Sequence, residues 1–180
     1  MQFSCKIFDI KSGWLIFHLN HNESGVSVKA SNVTDFGAPG KLLQSLWEML
    51  DKDNDRRVLT WDHETGRHIW HFESETGNLL LELYHSRTVY LHFDRYAQRH
   101  IARRHTIEKM RYPEKTEKRE LLFHASLPLY EFVRKVKNAF SIYSTRENLK
   151  VYEKEWGRFP FRDFNKLKEK LKEVRGKSKP

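Results

Sequence analysis

Three histidines, His63, His68 and His71, fall close together in the chain and invite acid–base or metal chemistry. Between His63 and His68 stands Glu-Thr-Gly-Arg, a tight-turn composition. His63 and His68 would therefore flank a hairpin and face each other across it. Strand alternation sends His71, three residues past His68, to the opposite face. No His-Glu-x-x-His string or comparably spaced ligand set accompanies them, so the pattern assigns no metal. The plainer reading is a surface strand pair.

Asp51, Asp53, Asp55 and Asp62 occupy the first, third, fifth and twelfth positions of a calcium loop. The sixth position needs glycine for its sharp turn and holds Arg56, and Arg57 adds a second cation. The segment that follows reads as a strand, so this is an acidic helix-to-strand turn. Nucleophilic chemistry finds no motif. The single cysteine, Cys5, falls in an N-terminal strand, and the chain holds no Gly-x-Ser-x-Gly elbow, phosphate loop or dinucleotide fingerprint. No cofactor is expected. An enzyme remains a third reading, because carboxylates gathered by folding leave no local signature.

Charge is the loudest signal. The net charge is +9, but residues 1 to 94 hold nine basic and 13 acidic side chains, and residues 95 to 180 hold 24 and 11. Such asymmetry speaks of partners and not of fold. The densest stretch is "RYAQRHIARRHTIEKMRYPEKTEKRE", residues 95 to 120. On a helix, Arg95, Arg99 and Arg103 would line one face with Arg104 beside them. Like charges at that spacing repel, and an anion would relieve them. These four arginines are the candidate anion- or partner-binding residues. Four glutamates are threaded through the same stretch and would repel phosphate. A docking site for an acidic protein fits better than a nucleic-acid track. The plain alternative is a solvated excursion between strands.

The elements that must position these residues follow from periodicity. "GWLIFHLN" and "GVSVKAS" read as paired strands, and the second alternates with period two. "APGKLLQSLWEMLDK" reads as a helix over about 39–51, opened by Pro39, with Leu42, Leu43, Leu46, Trp47 and Leu50 on one face. Two Glu-Thr-Gly turns then space strands near 57–63, 67–74 and 78–85, with another near 87–93. Trp61, Trp70, Phe72, Tyr84, Tyr90 and Phe93 fall in these segments. Aromatics of this kind can stack single-stranded bases, but without a basic, glycine-bearing RNP string they read as core. "LLFHASL" returns as a strand. A helix over 128–143 presents Leu129, Phe132, Val133, Val136, Phe140 and Tyr143. A last helix presents Phe161, Phe164, Leu167, Leu171 and Val174. Trp156, Phe159 and Phe161 should anchor it. The fold class is α+β, a mainly antiparallel meander with helices packed on one face, in a sheet of at least five strands. Residues 1–175 form one domain with a basic excursion at about 95–119, and residues 176–180 fray.

Several positions together resemble an uncharacterised family of small bacterial proteins. They are Gly13 and Trp14, Ser31 and Asp35 ahead of the leucine-rich helix, Trp61, Glu64, Gly66 and Trp70, then "SLPLYEFVRKV", and Tyr152, Trp156, Phe159 and Pro160. Residues 95–119 lie outside the resemblance, which carries over no catalytic residue. It implies a bacterial, cytoplasmic protein, and by analogy an immunity-type partner of a toxin. Immunity partners of nuclease toxins are usually acidic, and this chain is basic. No apolar run is long enough to span a membrane, and the start lacks a secretory pattern. The leading expectation is a non-enzymatic interaction protein, regulatory or immunity-type, with an acidic protein partner. The alternative is an RNA- or DNA-binding module built on the basic second half.

Overall fold

Left-handed turn residues set the first sheet. Strands β1 (Phe3–Lys11) and β2 (Trp14–His21) join through Ser12 and Gly13, whose φ values are 52° and 82°. That is the two-residue loop whose twist suits an antiparallel hairpin. β3 (Ser24–Ser31) pairs with β2, giving the order β1-β2-β3. The computed structural model of the chain describes residues 2–52, 54–63, 66–86 and 119–177.

A one-turn helix, α1 (Asn32–Asp35), leads into α2 (Ala38–Met49). The Ser31 hydroxyl caps α1 by accepting from the Val33 amide. Leu42, Leu43, Leu46 and Met49 are buried on one face of α2. Trp47 and Leu50, expected on that face, pack at its margin and stay partly exposed.

The second sheet is an antiparallel meander, β4 (Arg56–His63), β5 (Gly66–Glu75), β6 (Asn78–Ser86) and β7 (Arg119–Pro128). Thr76 and Gly77, at φ 48° and 79°, make the β5–β6 turn. Among the described residues the strands form two sheets, of three and four strands, where the sequence reading expected a single sheet. The physical reason lies at β3. After it the chain leaves for α1 and α2, and the outer side of β3 meets a β5 side chain at Lys29 and not a β4 ladder. The strand expected near 87–93 lies outside the described residues.

Three helices follow: α3 (Leu129–Ser141), α4 (Arg146–Glu155) and α5 (Phe161–Lys177). α3 is wedged between the sheets. Its Phe132 ring lies 5.3 Å from Phe3 of the first sheet and 6.0 Å from Phe72 of the second. Its Phe140 stacks on Phe17. Phe17 in turn meets Trp61 and Trp70, so the inner faces of both sheets share one core. The α+β class with an antiparallel meander holds. Helix α4 was not foreseen, because Tyr152 is its one buried residue.

Candidate functional site

Three adjacent strands each contribute one histidine to the same face of the second sheet. The β4–β5 register sets Trp61 opposite His68 and His63 opposite Gly66. The β5–β6 register sets His68 opposite His85. Alternation then aligns His63, His68 and His85 on the side that also carries Trp61 and Trp70. Ring centroids are 5.0 Å apart for His63 and His68, 5.4 Å for His68 and His85, and 5.5 Å for His63 and His85. The last pair is stacked, with ring planes 8° apart.

Gly66 makes the stack possible. A Cβ there would come within 3.0 Å of His85 Nε2, 3.3 Å of His63 Cε1 and 2.7 Å of the Ser86 carbonyl oxygen. The two rings and the neighbouring strand fill the space a side chain would need.

His63 and His68 are buried, and His85 is partly so. Burial holds the His68 imidazole down at about 4, and the neighbouring His63 adds to this. The Lys29 carbonyl is the one group that pulls the other way. In its Nδ1–H tautomer, His68 donates to that carbonyl at 3.3 Å. In the other tautomer it accepts from the Lys29 amide at 3.4 Å. Either way the ring ties β5 to β3, and so one sheet to the other. His63 is lowered too, first by burial and then by His85 and Lys29. The site thus favours neutral His63 and His68 rings in contact at neutral pH.

Among the described residues, no three or more His, Cys, Asp or Glu side chains are placed to hold a metal ion. The acids of the calcium-like stretch are drawn apart by cations. Asp51 pairs with Lys170 at 2.8 Å, Asp55 with Arg57 at 2.7 Å, and Asp62 with Arg67 at 3.3 Å. Asp53 lies outside the described residues. Cys5 is a partly buried thiol packed against the core, pushed up to about 12 by burial, which disfavours the reactive thiolate. His71 takes the opposite face, as alternation requires, with its ring 5.1 Å from Tyr84. Trp61, Trp70 and Phe72 are core and present no stacking platform. Tyr84 spends its hydroxyl on Glu82.

A second feature is electrostatic. Three arginines of the second sheet are paired, Arg56 with Glu73, Arg57 with Glu48 and Asp55, and Arg67 with Asp62. Across the α3–α5 contact the reverse holds. Arg134 and Lys137 of α3 and Lys168 of α5 share one neighbourhood, and none makes a salt bridge among the described residues. Partial burial lowers the Lys137 ammonium first, with Lys168 and Arg134 adding to it. By contrast Lys170, two residues on, joins Asp51 and Glu173.

Sequence reasoning brought His63 and His68 together correctly and missed His85. Counting back from the Glu-Thr-Gly turn at 75–77 gives the register that sets His85 opposite His68, so the signal was present. Arg134, Lys137 and Lys168 left no such signal, since their meeting depends on how two distant helices cross. Arg95, Arg99, Arg103, Arg104, Tyr90 and Phe93 lie outside the described residues. Comparison with family models, with curated proteins and with solved structures found no match to this chain.

Proposed function

We propose that this chain is a non-enzymatic interaction protein that docks an acidic protein partner through the α3–α5 face. The observation that carries this reading is the contrast in ion pairing. Arg56, Arg57 and Arg67 of the second sheet have carboxylates beside them, while Arg134, Lys137 and Lys168 stand together with no ion pair among the described residues. Gathering like charges costs stability, and an anionic surface brought against them recovers it. Residues 95–104, with Arg95, Arg99, Arg103 and Arg104, would extend the same preference. The role is regulatory or immunity-type in a bacterial cytoplasm, and that part rests on the family resemblance alone. Among the described residues no helix is long and apolar enough to cross a membrane.

The test is a titration of the parent and an Arg134→Ala/Lys137→Ala/Lys168→Ala variant against a labelled poly-glutamate peptide and a single-stranded RNA of equal charge. The reading expects tighter binding of the peptide, weakened about tenfold or more in the variant. Sub-micromolar RNA binding with a steep salt dependence would overturn it in favour of a nucleic-acid module, because phosphate contacts release counterions.

A further inference from the structure

We propose that His63, His68 and His85 form a proton-operated latch on the seam between the two sheets, closed while the buried His68 ring is neutral and opened when it is protonated. The closed state is the one described. Three rings sit 5.0 to 5.5 Å apart over Gly66, and His68 reaches across to the main chain of Lys29. That bond matters because, among the described residues, β3 is an edge strand whose outer side is not paired in a ladder.

Among the described residues, the charged or titratable groups acting on His68 are His63 of β4, His85 of β6 and Lys29 of β3. None is acidic. A proton on His68 therefore meets repulsion from His63 and His85 and from the Lys29 ammonium. Only the Lys29 carbonyl, accepting from Nδ1–H, favours the charged ring, and it is a single hydrogen bond against burial and three cations. Hydration of the charged His68 ring, which is buried against the Lys29 main chain, requires β3 to move off β5. The nearest deep core behind the latch is Trp61 and Trp70, fully buried with centroids 5.0 Å apart, so opening changes their surroundings. The device concerns the seam and does not rest on the α3–α5 reading. It gives the chain two states whose balance acidification shifts.

The experiment is hydrogen exchange followed by mass spectrometry on the full chain, with tryptophan emission in parallel, from about pH 7.5 to about pH 5 and with exchange corrected for its intrinsic pH dependence. The variant is His68→Asn, whose amide can still donate to the Lys29 carbonyl and cannot take up a proton. In the parent, peptides over 24–31 should lose protection about tenfold more than those over 79–83. In His68→Asn this selective loss should shrink to about threefold or less. Where His68→Asn does not fold, the less buried His85→Gln serves, since it removes one of the repelling cations and should likewise blunt the selective loss. Equal loss over all segments, or an unchanged response in the variant that folds, overturns the latch. So does a rise in parent Tm on adding zinc or nickel at neutral pH that the same variant lacks. That result would make the trio a ligand set and not a switch.

Discussion

The side-chain amide of Asn32 donates to the main-chain carbonyl of Trp156 at 3.0 Å, across 124 residues of chain. The same asparagine lies over the β1–β2 turn, where its main-chain N–H donates to the Gly13 carbonyl at 2.8 Å. Gly13 N–H in turn donates to the Glu155 carbonyl at 2.8 Å, and the Ser12 amide to the Glu155 carboxylate at 2.8 Å. The end of α4 is thus tied to the first hairpin at one corner. Asn32→Leu should lower stability by about 1–2 kcal/mol by leaving buried groups unpaired, read by urea denaturation. Gly13→Ala should cost as much or more. Its φ is 82°, and the added Cβ would stand 2.5 Å from Asn32 Oδ1.

Truncation should reveal the same corner. Trp156 and Phe159 are buried, and Phe159 meets Tyr152 at 5.1 Å and Phe164 at 5.4 Å. A chain ending at residue 154 loses Trp156, Phe159 and all of α5, and should show no cooperative thermal transition. A chain ending at 175 should melt like the parent. Phe161 contributes less than its composition suggests, being 39% exposed while touching Phe159.

The wedge helix offers a sharper probe. Phe132 is fully buried between Phe3 and Phe72. Phe132→Ala should cost about 3–5 kcal/mol, and Phe132→Asp should leave no folded population, because it buries an unpaired charge. Circular dichroism melts of the two variants beside Val151→Asp, on an exposed α4 position, check it. Equal stability of Phe132→Ala and the parent would remove α3 from the core.

What the residues reveal before folding follows how local each determinant is. The leucines of α2 and the aromatic stripe of α3 repeat at helical spacing, so those helices were legible. The two Glu-Thr-Gly strings marked where β4, β5 and β6 end and begin; at the second, Thr76 and Gly77 take the φ > 0 that the tight turn demands, whereas Gly66 opens β5 itself. Helix α4 escaped because Tyr152 alone is buried on it, and a single anchor has no period. The split into two sheets escaped for a different reason. Whether β4 pairs with β3 is settled by what occupies the β3 edge, and that is a His68 ring brought from another strand. The α3–α5 cation cluster is nonlocal in the same sense.

Acid should weaken the fold in a defined window. The His68 imidazole titrates at about 4 in the folded chain against 6.5 ordinarily. Between these values the unfolded chain binds the proton and the folded chain does not, so stability falls as pH drops through 6.5 and the loss levels off below about 4. For His68 alone the full loss is about 3 kcal/mol, and His63, lowered in the same direction, adds to it. Urea midpoints at about pH 7.5, 6 and 5 for the parent and His68→Asn measure it, and the variant should retain the flatter profile. A parent that is equally stable at all three would show that the rings are hydrated in solution.

Reversing one charge on the α3–α5 face should move stability and binding in opposite directions. Lys137 is lowered by burial and then by Lys168 and Arg134, so an acid at 168 would turn a repulsion into an attraction. Lys168 is exposed, which limits the gain. Lys168→Glu should raise Tm by about 1 °C, while weakening capture of an acidic peptide about tenfold at low salt. Lys168→Gln should fall between the parent and Lys168→Glu on both counts. A residue kept only for solvation would show neither change, and one kept for the fold would lose stability on reversal. Gain of stability with loss of binding is the signature of charges held together for a partner, since selection then tolerates their mutual repulsion. Calorimetric melts of the three proteins, beside their poly-glutamate titrations at two salt concentrations, decide it. A Lys168→Glu protein that melts lower than the parent would place Lys168 in a structural role and remove it from the docking face.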